Sequence, residues 1–227
     1  MSYKEEIFLK AIQSSYIKYK EHGARSTEKL KPLHLFVAET LSKIWGSNAE
    51  IHFMGDGVKE LTVEGKYYPK DIDIAVKLNE KPVFCLGIKF VTSNYKQNAN
   101  NYFENMMGET ANIQANQIPY AHLIILRYET PYYKKNNSDT PDKIEIISKK
   151  DLQKYLNLMF DSHQAHRPQM LGIKLVNIDE NNQSVVSTNV TSVFGVEFAQ
   201  LIENAFSVTK MFELIENYKV FLSTKSD

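Results

Sequence analysis

Hydrophobic residues near the start of the chain recur at the spacing of an amphipathic helix. The positions that share this face are Ile7, Ala11, Ile12, Tyr16 and Tyr19. The pattern predicts a helix over residues 3–22, with Gly23 in the place of a C-terminal cap. A second helix is predicted from Thr27 or Pro32 to Trp45, because proline is well tolerated in a first helical turn.

Further along, the pattern changes to the alternation that is typical of β-strands. Short strands are predicted at Ile51–Met54 and, with an interruption, at Lys59–Tyr68. Apolar and charged or small residues then alternate over Asp71–Leu78, and a second strand, Pro82–Val91, follows a polar turn at 79–81. These last two strands are expected to form a hairpin.

The remaining segments complete a mixed pattern of helices and strands. Residues 98–114 predict a helix, Ala121–Tyr128 a buried strand and 129–142 an exposed loop. The later elements are a strand at Ile144–Ile147, a helix at 149–160, a strand at Leu171–Ile178 and a helix at Ser192–Leu222. This order predicts an α/β (α+β) fold with a mixed central β-sheet flanked by helices.

Length and composition fit one soluble globular domain covering 1–227. Within it we expect N-terminal helices over 1–46, a functional sheet with its helices over 47–178, and a C-terminal helix over 192–222. The 27 basic and 27 acidic residues balance, so DNA binding would require clustered bases. One cysteine is compatible with a reducing cytoplasm, and no apolar run is long enough to span a membrane.

The hairpin carries the chemically informative residues. Asp71 and Asp73 alternate with isoleucines and therefore share one face of their strand, as Gly87 and Lys89 do on the next strand. If residues 79–81 form the turn, Asp73 faces Gly87 and Asp71 faces Lys89. Two carboxylates can bind Mg²⁺, and a metal ion with a nearby lysine suits phosphodiester hydrolysis.

This arrangement resembles the PD-(D/E)xK nucleases, in which an Asp at a strand start precedes an acid-x-Lys on the next strand. The likeness covers Pro69–Asp73, Gly87–Lys89 and the Asn- and Tyr-rich segment that follows, which resembles the helix after the motif in bacterial Type II restriction enzymes. It implies a Mg²⁺-dependent endonuclease that reads and cuts double-stranded DNA. It also implies a homodimer, a cognate DNA methyltransferase and a bacterial cytoplasmic location. Asp73 is the favoured metal ligand, Asp71 a second ligand, and Lys89 the catalytic lysine.

Gly87 departs from that motif, because it stands where the family has Glu or Asp. Three explanations are open. In the first, glycine replaces an original glutamate in an inactivated copy. In the second, the acid is supplied from elsewhere, either by Asp71 together with Asp73 or by Glu104 or Glu109 from the helix. In the third, the protein binds DNA without cutting it. A repair or recombination nuclease is a further alternative.

Several polar residues near the motif are candidate DNA contacts. They are Asn94, Lys96, Asn98, Asn100, Asn101, Arg127, Lys134 and Lys135. Amides of this kind can reach phosphates or adenine edges, and cations at or beyond the end of a buried strand can reach the DNA.

Overall fold

A computed structural model describes residues 3–24, 26–55, 59–133, 140–162 and 165–224. The helices are α1 (Glu5–His22), α2 (Lys31–Trp45), α3 (Tyr95–Gln114), α4 (Lys149–Met159), α5 (Val190–Phe194), α6 (Val196–Phe206) and α7 (Val208–Thr224). The strands are β1 (Glu50–Phe53), β2 (Leu61–Glu64), β3 (Pro69–Ile72), β4 (Ile74–Leu78), β5 (Lys81–Val91), β6 (Tyr120–Arg127), β7 (Glu129–Tyr132), β8 (Lys143–Ile146), β9 (Met170–Asp179) and β10 (Ser184–Ser187).

The six-stranded central sheet has the order β1-β4-β5-β6-β9-β10. Strand β4 is antiparallel to both of its neighbours, β1 and β5. Strand β6 runs parallel to β5, β9 runs parallel to β6, and β10 is antiparallel to β9. The pairs β2–β3 and β7–β8 form separate two-stranded sheets. The predicted mixed sheet flanked by helices is therefore confirmed.

Hydrophobic side chains cover both faces of the sheet. Alternate residues of β4 and β5 pack against α1, α2 and α7; they are Ile74, Val76, Phe84, Leu86, Ile88 and Phe90. On the other face, α3, α4 and α6 cover β6 and β9 through a second set, which includes Ile124, Leu126, Leu171, Ile173 and Leu175. A smaller cluster beside the β2–β3 pair contains Val63, Ile72, Ala75, Cys85, Ile113, Ile118 and Tyr120. Parallel strands need cover on both faces, and the continuous burial of β6 meets that need.

The N-terminal helices follow the predicted bounds closely. Helix α1 ends at Gly23, whose positive φ of 82° suits glycine and whose N–H donates to the Tyr19 carbonyl at 2.9 Å. Both suggested starts of the second helix have a structural counterpart. Thr27 opens a 3-10 turn, Thr27–Leu30, and Pro32 lies in the first turn of α2.

The single C-terminal helix predicted over Ser192–Leu222 is wrong. The chain forms three helices there, broken at Gly195, where φ is 84°, and at Ser207, which is extended. The loop predicted over 129–142 is also wrong in part, because it begins with β7. In the described part of the chain, no helix has the length and apolar character needed to cross a membrane.

Candidate active site

Asp73 lies where the chain leaves β3 and enters the central sheet at β4. Its Oδ2 accepts a hydrogen bond from the Ile88 N–H at 2.6 Å. Ile74 pairs with Leu86, so extending this antiparallel register by one residue places Asp73 opposite Gly87, as the sequence predicts. The carboxylate is thereby anchored to the backbone of the strand that carries Lys89.

The turn that sets this register differs from the predicted one. It contains only Asn79 and Glu80, both with positive φ (48° and 64°), which matches a two-residue hairpin turn. The shorter turn shifts the pairing near it, so that Lys77 faces Pro82. A bulge beside Val76 then restores the expected register.

Asp71 does not face Lys89, and that part of the prediction is wrong. The predicted strand Asp71–Leu78 is divided at Asp73, and Asp71 pairs with Thr62 in the separate β2–β3 sheet. The Thr62 hydroxyl donates to Asp71 Oδ1 at 2.5 Å, and the Asp71 side chain is exposed. Asp71 is consequently a less suitable second metal ligand than the sequence suggests.

An open cavity of about 360 Å³ lies at the centre of the site. Asp73, Gly87, Lys89 and Glu109 all line it. The structure therefore brings together the favoured aspartate, the glycine at the missing acid position, the motif lysine and one of the two helix glutamates.

Glu109 and Glu104 differ in their position on α3. Glu109 is only partly exposed, and it lines the cavity. Its Oε1 lies 2.9 Å from Lys70 Nζ, and its Oε2 accepts a hydrogen bond from the Tyr120 hydroxyl at 3.5 Å. Glu104 is exposed and does not line the cavity. Of the two helix acids, only Glu109 is positioned to share a ligand with Asp73.

Burial is the main cause that raises the pKa of Asp73 to about 6. The negative charges of Glu60 and Glu109 raise this pKa further, whereas the Ile88 amide and Lys70 lower it. Several acids are thus close enough to repel one another electrostatically. A cation bound among them would relieve this repulsion.

Gly87 has little room for a side chain. A Cβ atom added there would lie 2.9 Å from the Tyr120 hydroxyl oxygen and 3.1 Å from His122 Nδ1. His122 is buried, its Nε2 lies 3.2 Å from the Thr110 hydroxyl, and burial lowers its pKa to about 4. The neutral imidazole and the tyrosine together occupy the space that a larger residue at position 87 would need.

We expect Gly87→Ala to lower the free energy of unfolding by about 1–3 kcal/mol, the usual cost of overpacking a core. Gly108→Ala is the matched control, because a Cβ atom at this exposed glycine of α3 meets nothing within 4 Å. That substitution should instead stabilise by about 0.5–1 kcal/mol. Urea unfolding measures both changes. Equal stability of Gly87→Ala and the wild type would show that Tyr120 and His122 yield to a Cβ atom, and would contradict the proposed crowding at position 87.

Asn112 fastens the segment before β3 to α3. Its Oδ1 accepts from the Tyr67 N–H at 2.9 Å, and its Nδ2 donates to the Tyr68 carbonyl at 2.9 Å. A Cβ atom at Gly65 would overlap the side-chain amide of Asn112, so this close approach requires glycine. Together with the ion pair between Lys70 and Glu109, these contacts fix the chain that leads into Asp73.

The predicted DNA contacts have different surroundings. Asn94 is the residue before α3 and has a left-handed φ of 55°. The Asn98 side chain donates a hydrogen bond to the Asn94 carbonyl at 3.1 Å, so these two residues contact each other at the start of the helix. Lys96 Nζ lies 3.9 Å from Asp151. Asn100 and Asn101 are exposed on α3.

The other predicted DNA contacts gain no support. Arg127 lies at the end of buried strand β6, as predicted, but its side chain is buried and its Nη1 lies 2.6 Å from Glu180 Oε1. Its charge is already paired inside the protein, which makes a direct DNA contact unsuitable. Lys134 and Lys135 lie outside the described residues.

The donor set suits Mg²⁺ better than zinc. Within the described ranges, no group of three or more His, Cys, Asp or Glu side chains has the geometry to hold a metal ion. Magnesium commonly takes one or two carboxylates and completes its shell with water and phosphate oxygens. Asp73 and Glu109 meet that smaller requirement, since both line the same open cavity.

No protein family matches the sequence, and neither curated proteins nor solved structures give a match. The functional argument therefore depends on the residues of the cleft.

Proposed function

We propose that this protein is a Type II restriction endonuclease of the PD-(D/E)xK kind, which hydrolyses phosphodiester bonds of double-stranded DNA with Mg²⁺. The observation that supports this most directly is the shared cavity of Asp73, Lys89 and Glu109, next to Gly87. The same proposal includes the fold, in which the mixed central sheet and its helices would be of the restriction-endonuclease type. The placement of Asp73 before β4 and Lys89 on β5 matches the order of the motif.

Asp73 and Glu109 would hold Mg²⁺, which supplies charge neutralisation and an activated water when bound. Asp73 is kept in place by the Ile88 amide, and Glu109 by Lys70 and Tyr120. Lys89 is exposed toward the cavity, where its ammonium would orient the attacking water or stabilise charge that develops on the phosphate.

The crowding at Gly87 favours an acid supplied from elsewhere over a lost glutamate. A glutamate at position 87 would require movement of Tyr120 and His122, whereas Glu109 already reaches the cavity. We therefore propose Glu109 as the acid that replaces the missing one. In this proposal the functional active site contains glycine at position 87.

The protein's partners are part of the proposal. The substrate would be double-stranded DNA, and a palindromic target would call for a homodimer in which each subunit cuts one strand. A bacterial cytoplasm with a cognate methyltransferase is the matching setting, because unprotected host DNA would otherwise be cut.

A catalytically silent DNA-binding protein is the second candidate, and the absence of an acid at Gly87 is the observation that favours it. This candidate predicts tight binding without metal and no nicking under any condition. A repair nuclease would instead prefer branched junctions to plain duplexes.

Incubation with unmethylated DNA of diverse sequence and Mg²⁺ tests the proposal. We expect discrete fragments for the wild type, none with EDTA, and none for Asp73→Asn. Sequencing of the fragment ends would give the target. An absence of cleavage, or cleavage that persists in EDTA and in Asp73→Asn, would refute the proposed activity.

A further inference from the structure

Two lysines lie at the cavity besides the acids already described. Lys89 projects from β5, and Lys29 comes from the 3-10 turn between α1 and α2; both line the cavity with Asp73 and Glu109. Lys29 is sixty residues from Lys89 in the chain (89 − 29), and no sequence motif connects them. The fold thus adds a second cation to a cavity that also contains carboxylates.

Neither ammonium has an acidic partner among the residues that the structure describes. Lys29 Nζ donates to the Ala24 carbonyl at 2.5 Å and lies 5.9 Å from the Tyr19 ring centre, while Lys89 Nζ lies 4.8 Å from the Tyr102 ring centre. Nearby Lys31 and Lys70, by contrast, are ion-paired with Glu28 and Glu109. The two unpaired lysines therefore keep their charges available for a ligand.

The two charges also repel each other. Partial burial lowers the pKa of Lys29, and the positive charge of Lys89 lowers it further. An anion between the two ammonium groups would offset the repulsion and favour the charged form of Lys29.

The turn that carries Lys29 is held by local contacts. The Ser26 hydroxyl accepts a hydrogen bond from the Glu28 N–H at 3.2 Å, and Glu28 is bound to Lys31 at 2.6 Å. The Ala24 carbonyl orients the Lys29 ammonium itself. The lysine is thus positioned before a ligand arrives, which reduces the entropy lost on binding.

We infer that Lys29 and Lys89 form a binding site for one phosphodiester group of the DNA backbone, beside the acids that would hold the metal. This inference rests on the proposed nuclease function. Lys29 is a binding residue in this arrangement, whereas Lys89 also serves the reacting phosphate. The same chemistry would accept a free phosphate ion, so the experiment separates the two sources.

The test compares Lys29→Gln with Lys43→Gln, which removes an exposed lysine of α2 that does not line the cavity. A fluorescent duplex is titrated in Ca²⁺ over a series of KCl concentrations. We expect Lys29→Gln to bind DNA about tenfold more weakly and the slope of log affinity against log salt to fall by about 0.9, the value for one lost phosphate contact. The control should change neither quantity, and Lys29→Met, if Lys29→Gln fails to fold, should behave like Lys29→Gln.

The outcomes separate the two proposals. If the wild type binds and cuts DNA while both Lys29 variants keep its affinity and salt slope, the phosphate site is refuted and the nuclease stands. If DNA is not bound but inorganic phosphate raises the melting temperature of the wild type and not of Lys29→Gln, the anion site stands and its DNA ligand is refuted. If neither DNA nor phosphate binds, both proposals fail.

Discussion

Glu109→Gln is expected to slow Mg²⁺-dependent DNA cleavage about a thousandfold, because the loss of several kcal/mol of charge stabilisation costs a factor of ten for each 1.36 kcal/mol. The amide keeps the size of the glutamate, its Oε1 can still accept a hydrogen bond from Lys70, and its Nε2 can donate one to the Tyr120 hydroxyl oxygen; these are the two groups that hold Glu109. Fold and DNA binding should therefore persist. Single-turnover cleavage of a labelled duplex measures the rate.

Glu104→Gln is the matched control for that experiment. It makes the same chemical change on the same helix, at an exposed position outside the cavity, and the rate should stay within about twofold of the wild type. The Mg²⁺ concentration that gives half the maximal rate should rise for Glu109→Gln alone. Equal rates for the two variants would exclude Glu109 from the metal site.

Helix geometry explains why the sequence alone left Glu104 and Glu109 as alternatives. Five residues correspond to a rotation of roughly 140° around an α-helix, so the two glutamates point in clearly different directions. The sequence therefore indicates that only one of them can reach a given cavity. Which one does so depends on how α3 packs against β6. Because the surface of this helix is largely polar, the sequence does not define which of its faces is buried.

The hairpin shows what alternation can and cannot predict. Alternation correctly placed Asp73 opposite Gly87, although the turn is one residue shorter than expected, because a bulge beside Val76 compensates. Alternation failed for Asp71, since a run of alternating residues does not reveal that the chain changes partners within it. Strand β3 pairs with β2, and only β4 joins the central sheet. Asp71 therefore lies in the separate two-stranded sheet, and the chain enters the central sheet after Asp73.

Residues that approach the site from distant parts of the sequence were not found by motif analysis. Lys29 enters from a 3-10 turn, and Glu60 affects Asp73 through its charge. Lys70 lies between Pro69 and Asp71 in the sequence, and no pattern there indicates its ion pair with Glu109. Such contacts depend on tertiary structure, and none of these residues has a local pattern that distinguishes it from an ordinary surface charge.

Asp73→Asn is expected to make the folded protein more stable above pH 6 while it abolishes cleavage. The folded-state pKa of Asp73 is raised from 3.8 to about 6, chiefly by burial. The folded state therefore holds the proton more tightly than the unfolded chain does. The stabilisation by protonated Asp73 is fully present below about pH 4 and is lost as the pH rises through 6.

From this shift, the ionised carboxylate costs about 3 kcal/mol at pH 8, at 1.36 kcal/mol for each pKa unit. The asparagine cannot ionise, and its Oδ1 can still accept the Ile88 N–H. The stability of the variant relative to the wild type should thus grow between pH 4 and pH 7 and then stay level. Buried His34 and His122 also titrate in this range, with pKa values lowered by burial to about 4, but both proteins contain them, so their contribution cancels in the difference.

Urea unfolding of both proteins across that pH range, with and without Mg²⁺, tests this expectation. Mg²⁺ should stabilise the wild type and not the variant, because the metal binds the ionised carboxylate and competes with its proton. At Mg²⁺ concentrations that do not saturate the site, the cleavage rate of the wild type should accordingly fall as the pH drops through about 6, because Asp73 takes up its proton. A pH-independent difference in stability, or equal stabilisation of both proteins by Mg²⁺, would mean that Asp73 is an ordinary structural carboxylate and not the ligand on which the proposed chemistry depends.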